Sequence, residues 1–414
     1  MQYGLIGEKL GHSFSAEIHQ KLKSNPYTLV ELSRDEIEAF FTAKDFCAIN
    51  VTIPYKTTVI PYLSHISKRA KEIGAVNTVV NRRGELWGYN TDFYGLQSLI
   101  EHAGITLQNK KVAILGTGGT SKTAHAVAHF LGAGQILTVS RTVGEGVITY
   151  ADLTADHIDV DVLINTTPVG MYPNTEATPV DISVFSNLSG VIDAIYNPLR
   201  TKLILDAKKR GIPAEGGLYM LVAQAVRASE LFLDTVYEGE TTEHIYLELL
   251  NKTENIVLSG MPGAGKSTVG KLLAKETKRA FFDLDEEIVR VAGCSIPEIF
   301  ANDGETAFRD LETRVLRDVL SNQKNIVLAT GGGAILRDEN IDLLHRNGKI
   351  YFIDRPLADL LPTADRPLAS SAEAIRHRFE ERYDRYCKTA DCHIDGDGSV
   401  EEVADRIRKE FLHL

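Results

Sequence analysis

Short runs of β-branched and aliphatic residues recur along this chain. Each is bounded by glycine or polar turns, and most are followed by apolar positions at helical spacing. Two such units stand out, Lys111–Ala133 and Asn255–Thr277. In each, a short β-branched and aliphatic run reads as a buried strand, a glycine-rich turn follows, and apolar residues at helical spacing come next. Further apolar runs at Ile136–Ser140, Asp161–Thr166, Gly190–Tyr196, Asn325–Thr330 and Lys349–Asp354 alternate with helical patterns. That alternation predicts an α/β protein built on parallel sheets.

A chain of 414 residues is too long for one ordinary core and suggests two or three domains. Leu233–Glu254 is polar with one short amphipathic stretch, read as the last helix of the first domain, with the boundary near Asn251–Asn255. Hydrophobic residues make up 43% and charged residues 24%, ordinary for a soluble globular protein. No apolar run approaches the ~20 residues that span a bilayer, and the first residues lack the pattern of a secretion signal. Four cysteines do not make a disulfide framework, and Cys387…Cys392-His393 lacks the second pair that a zinc site needs. A cytoplasmic location is the expectation. The net charge of −11 argues against a nucleic-acid partner, which is gripped by clustered Lys and Arg.

The candidate chemistry begins at the two glycine turns. Gly116, Thr117, Gly118, Gly119 and Thr120 follow a strand and open a helix, as a dinucleotide fingerprint requires. Ser121 stands where a third glycine is common. About 20 residues on, Ser140, Arg141 and Thr142 end the next strand. An acidic residue here would bind a ribose hydroxyl; an arginine between two hydroxyls suits the 2′-phosphate of NADP(H), and a solvated arginine is the plain alternative. The second turn, Gly260 to Ser267, fits GxxxxGK[ST]. In it Gly263, Ala264, Gly265, Lys266, Ser267 and Thr268 would hold ATP, with Lys266 on the phosphates and Ser267 on Mg²⁺. Asp283 and Asp285 end the following strand and share one face of it. One can work near Mg²⁺ while the other orients an acceptor hydroxyl.

The segments before residue 100 hold polar clusters: His12–Ser15, Asn50–Lys56, Gly74–Thr78 and Gly88–Asp92. With Asn165–Met171, Ile195–Ile204 and Gly216–Ala225, they resemble the shikimate dehydrogenase family over about residues 1–250. The resemblance implies NADPH-dependent reduction of 3-dehydroshikimate to shikimate, with Lys56 and Asp92 as the catalytic pair. It puts Ser13 and Ser15 on the substrate carboxylate, and Thr52, Asn77, Tyr196 and Gln224 around the same pocket. Gly217 falls near the nicotinamide. It further implies a substrate lobe from 1–95 and 217–250, and a Rossmann-type NADP lobe from 96–216. Ala16 and Gln20 depart from the usual proline and asparagine.

The second half, after a linker at 251–254, resembles shikimate kinase across 255–414. Its marks are the phosphate loop, Asp285, Arg309 in Gly304–Arg309, the turn Gly331–Gly333, Arg366 and Arg382. The resemblance implies ATP-dependent phosphorylation of shikimate, with Asp285 as base, Arg309 and Arg382 on the substrate carboxylate, and Gly333 hydrogen-bonding the substrate. Arg366 would be the lid residue that stabilises the transferring phosphoryl group, and Asp283 a Mg²⁺ residue, directly or through water. No second basic residue stands among Asp359–Asp365, and Ile394–Glu402 lacks an adenine-contact arginine. The chain therefore reads as a bifunctional enzyme, acting on small-molecule substrates without a membrane partner. The alternatives are a broader shikimate/quinate dehydrogenase joined to a kinase of another small hydroxy acid, or one domain serving as a non-catalytic binding module.

Overall fold

A computed structural model describes residues 1–11, 14–360 and 372–412. Contacts divide the chain into two compact units, Met1–Glu248 and Leu249–Leu414.

The first unit contains two sheets. One is formed by β1 (Tyr3–Gly7), β2 (Tyr27–Glu31), β3 (Ala48–Val51), β4 (His65–Ile66), β5 (Thr78–Arg82) and β6 (Glu85–Tyr89), in the order β2-β1-β3-β5-β6-β4. β1 runs parallel to β2 and β3, whereas β5 is antiparallel to both β3 and β6. The β5–β6 turn places Arg83 at φ 57° and Gly84 at φ 90°. Two successive positive φ values are what a tight hairpin needs to follow the strand twist.

The other sheet contains β7 (Lys111–Leu115), β8 (Gln135–Ser140), β9 (Val147–Thr149), β10 (Val162–Asn165), β11 (Gly190–Asp193) and β12 (Ala214–Glu215). Its order is β12-β11-β10-β7-β8-β9, with every pairing parallel. The inner strands β10 and β11 are buried along their whole length, as expected for a parallel sheet covered on both faces. The strand order reverses beside β7, and the crevice beyond the strand ends at such a switch point is where ligands bind.

Two helices join the lobes. Asp92–His102 contributes Phe93, Leu96, Leu99 and Ile100 to the core that contains Val112 and Ile114. Leu218–Leu233 sends Ala228 and Phe232 against Tyr3, Ala48 and Val80 of the first sheet. The pair cross closely at Gly95, where a Cβ would lie 2.6 Å from the Met220 carbonyl oxygen.

Residues 251–253, part of the expected linker, are the end of the helix Thr241–Thr253, and the division between the units falls within that helix. Ile245 and Leu249, one turn apart, are both buried, so the amphipathic pattern carries the helix past the polar segment that suggested a break.

The second unit is built on β13 (Asn255–Ser259), β14 (Ala280–Asp283), β15 (Ile326–Ala329), β16 (Gly348–Asp354) and β17 (Cys392–Asp395). All are parallel, in the order β14-β15-β13-β16-β17. The central β13 is buried throughout and runs into the phosphate loop. The helical stretch Ile296–Asn322 is broken at Gly304, at φ 80° and ψ 175°, a conformation that only glycine adopts without strain. Among the described residues no helix is long and apolar enough to cross a membrane.

Candidate active sites

In the first unit a cavity of about 470 Å³ brings together Ser15, Thr52, Lys56, Asn77, Asp92, Thr120, Tyr196, Gly217 and Gln224. Residues from both lobes therefore share it. The Lys56 ammonium donates to Asp92 Oδ2 at 2.6 Å. Asp92 opens the helix Asp92–His102, where the helix dipole favours a carboxylate. Asn77 Nδ2 donates to Asp92 Oδ1 at 2.9 Å, and Asn77 Oδ1 accepts from the Thr91 backbone N–H at 2.7 Å. Asn50 supports Asn77 in turn, donating to its carbonyl oxygen at 3.3 Å and accepting from the Tyr27 hydroxyl at 2.8 Å. Burial raises the Tyr196 phenol pKa, so that side chain stays a neutral donor.

The glycine turn lies at the same cavity's edge. Gly116 has φ 111°, and a Cβ there would meet Thr166 Oγ1 at 2.8 Å. At Gly118 and Gly119 a Cβ would meet nothing within 4 Å, so their bareness leaves open approach to the N-terminus of the helix Gly119–Phe130, a ready anion site. Gly217 is fixed differently: a Cβ would lie 2.2 Å from the Ala194 carbonyl oxygen. Ser140, Arg141 and Thr142 sit at and beyond the end of β8, with Arg141 and Thr142 exposed. This geometry fits a dinucleotide spanning from the β8 end to the Lys56 cavity.

In the second unit Gly263 and Gly265 have φ of 87° and 88°, so the loop turns its backbone around the mouth of the helix Lys266–Thr277. Lys266 Nζ donates to the Gly260 and Met261 carbonyls at 2.8 and 3.1 Å. Ser267 Oγ donates to Asp283 Oδ2 at 2.5 Å, while Asp283 Oδ1 caps the next helix through the Asp285 N–H at 3.0 Å. A hydroxyl and a carboxylate in contact beside a phosphate loop are the hard oxygen donors that suit Mg²⁺.

The turn Gly331–Gly333 passes between three of these elements. A Cβ at Gly331 would lie 2.6 Å from Asp285 Oδ1, one at Gly332 3.0 Å from the Pro262 ring, and one at Gly333 2.3 Å from the Arg309 guanidinium. Arg309 donates to Glu312 at 2.8 Å and to Glu305 at 3.3 Å. Arg382 Nη1 donates to the Gly332 carbonyl at 3.1 Å, and the Tyr386 hydroxyl donates to the same oxygen. Burial raises the Glu312 pKa and the Arg309 charge opposes that rise.

Comparison with known proteins agrees with this division. Residues 5–79 match the model of the shikimate dehydrogenase substrate binding domain, and residues 262–412 match that of shikimate kinase. A shikimate dehydrogenase (NADP(+)) of Clostridium perfringens is 38% identical over 265 residues, which is 60% of this chain and 97% of that protein. The chain belongs to the shikimate dehydrogenase family. Its second unit is a shikimate kinase domain, and the whole is a bifunctional enzyme of the shikimate pathway. The crystal structure of shikimate dehydrogenase 1 from Peptoclostridium difficile is 38% identical, with a TM-score of 0.55 over 60% of this chain and 98% of that one. A chorismate mutase/shikimate 5-dehydrogenase fusion from Clostridium acetobutylicum is 36% identical, with a TM-score of 0.56 over 60% and 96%. That dehydrogenase too is joined to another enzyme.

Of the residues singled out from sequence in this dehydrogenase–kinase, Ser13 and Arg366 lie outside the described residues. Ala264 is buried and Thr268 exposed beside the phosphate loop. Two supports were missed. Asn50 holds Asn77, as above. Asp193, wholly buried, accepts from Asn165 Nδ2 at 3.0 Å, the Ile195 N–H at 3.0 Å and Thr201 Oγ1 at 2.7 Å. It ties the loops that carry Thr166 and Tyr196, and burial pushes its pKa up to about 6. A lone Asp after an apolar run gives no sign of this role, because its partners lie 28 and 8 residues away in sequence.

Proposed function

We propose that the first unit reduces 3-dehydroshikimate to shikimate with NADPH, and that the second phosphorylates the shikimate 3-hydroxyl with ATP. The observation that carries the first step is the Lys56–Asp92 contact at the wall of a polar cavity that also reaches Thr120 and Gly217. Bound NADPH supplies the hydride. The carbonyl oxygen then gains charge, and Lys56, oriented by its hydrogen bond to Asp92, donates a proton to it, an effect typically worth ~10²–10⁴-fold. Ser13 and Ser15 would take the substrate carboxylate, and Thr52, Asn77, Tyr196 and Gln224 its hydroxyls. The NADP(+) in the name of the Clostridium perfringens relative supports Arg141, Ser140 and Thr142 as the 2′-phosphate site.

In the second unit Asp285 accepts the proton of the acceptor hydroxyl, Arg309 and Arg382 fix the acceptor carboxylate with their planar forks, and Gly333 offers a backbone hydrogen bond. The phosphate loop Gly263–Thr268 cradles ATP, with Lys266 on its phosphates. Ser267 and Asp283 would hold Mg²⁺, which neutralises phosphate charge when bound. By the resemblance to shikimate kinase, Arg366 would stabilise the transferring phosphoryl group.

The test is a pair of assays on the whole chain, with 3-dehydroshikimate and shikimate supplied separately. Lys56→Ala should abolish most NADPH-dependent reduction and leave phosphorylation near the unmodified level; Asp285→Asn should do the reverse. Sites in separately packed units without shared partners respond additively. Loss of both activities from one change, in a folded protein, would overturn this reading.

A further inference from the structure

The helix Ala372–Thr389 carries Arg378, Arg382 and Tyr386 at successive i, i+4 positions, so all three project from one face. That face lies on the glycine triplet, since Arg382 and Tyr386 both donate to the Gly332 carbonyl. One turn earlier, Arg378 has Nη1 shielded from solvent with no hydrogen-bond partner among the described residues. Its electrostatic neighbours are Arg382, Glu305, Glu381 and Arg309, and Arg309 reaches the triplet from a different helix. Three guanidinium groups thus converge beside three carboxylates: Glu305 and Glu312, both engaged by Arg309, and Glu381 on the same helix as Arg378.

Like charges one turn apart disfavour a helix, and a buried polar nitrogen without an acceptor is costly. An anion held among the three arginines supplies the missing acceptor and offsets the repulsion. The neighbours of Arg378 belong to the acceptor wall around Gly331–Gly333, so the anion is on the acceptor and not on the nucleotide.

We infer that Arg378 is a third guanidinium of the acceptor subsite and binds the carboxylate of the hydroxy acid together with Arg309 and Arg382. This rests on the kinase reading above. It makes recognition of the acid group stricter than two arginines alone would provide.

The experiment compares shikimate with its methyl ester as phosphate acceptors, using the full chain and its Arg378→Gln variant. The loss of a hydrogen bond between charged groups corresponds to about 10- to 100-fold. The acid-over-ester ratio of kcat/KM should therefore fall about 10-fold or more in the variant. The loss should appear in KM for the acid, with KM for ATP unchanged. Because the ratio is internal to each protein, partial loss of folded enzyme cancels from it. Arg378→Lys, which keeps the charge but not the planar fork, should fall between the two, and it carries the same comparison if the Gln variant is inactive. An unchanged ratio, or a defect confined to ATP, would overturn the inference while leaving the kinase reading intact. Failure of the unmodified chain to phosphorylate shikimate would instead overturn the reading itself.

Discussion

The carboxylate of Asp92 is divided between two partners: Oδ2 takes the Lys56 ammonium at 2.6 Å, and Oδ1 takes the Asn77 amide at 2.9 Å. Asn77 is itself held by the Thr91 N–H and by Asn50. The proposed catalytic pair is thereby oriented from outside the pair.

Asn77→Ala removes the amide that fixes Asp92 and leaves its Oδ1 without that donor. Unmaking one hydrogen bond to a charged group costs about 1.5–3 kcal/mol, so dehydrogenase kcat/KM should fall roughly 10- to 100-fold. Kinase turnover on the same protein should be unchanged. Steady-state rates for both reactions check this, and a near-normal dehydrogenase would mean Asp92 is positioned by Lys56 alone.

Arg141 is exposed at the end of β8, where the proposed charge-assisted contact with a 2′-phosphate would be available to NADPH and not to NADH. Arg141→Ala should raise KM for NADPH about 10-fold or more and change KM for NADH little. Equal responses to the two cofactors would remove the residue from the phosphate site.

The glycine triplet offers a packing test. A Cβ at Gly331 would lie 2.6 Å from Asp285 Oδ1 and 3.1 Å from Glu312 Oε1. Overpacking of this kind costs typically ~1–3 kcal/mol, and here it falls on the proposed base. Gly331→Ala should reduce shikimate phosphorylation at least tenfold while the dehydrogenase keeps its rate. Phosphorylation at the unmodified rate would show that Asp285 can move without consequence.

His19 is 1% exposed and stacked on Tyr27, with ring centroids 4.1 Å apart. Burial lowers its pKa from 6.5 to about 3, partly opposed by a hydrogen bond with Asn50. A base whose folded-state pKa is depressed contributes stability that is present above pH 6.5 and is lost as pH falls toward 3, because the unfolded state gains the proton first. Each pH unit in that window is worth about 1.4 kcal/mol. Urea unfolding of the first unit should therefore show about 2–3 kcal/mol less stability at pH 4.5 than at pH 7 from this group. His19→Phe, which keeps an aromatic ring between Tyr27 and Phe232, should flatten that part of the slope. Identical slopes for the two proteins would assign the acid sensitivity elsewhere.

Much of this protein is legible in its sequence because the relevant physics is local. The parallel strands appear as apolar runs, since a strand covered on both faces has no polar side to alternate with. The two nucleotide turns appear as glycines at fixed spacing, since backbone must approach phosphate there. Both family resemblances follow from such clusters, and the family comparisons agree with them.

Tertiary structure decided what depends on residues far apart in the chain. Residues 251–253, within the expected linker, are the last of the helix Thr241–Thr253, whose Ile245 and Leu249 are buried although the segment's composition is polar. Asn50 behind Asn77, Asp193 between Asn165 and Thr201, and Arg378 beside Arg309 are ordinary polar residues until folding sets their partners. Local sequence encodes where the chain must bend and which faces must be buried. Which charge meets which is settled only when separate elements pack, because electrostatic and hydrogen-bond energies depend on distances that spacing along one element does not specify.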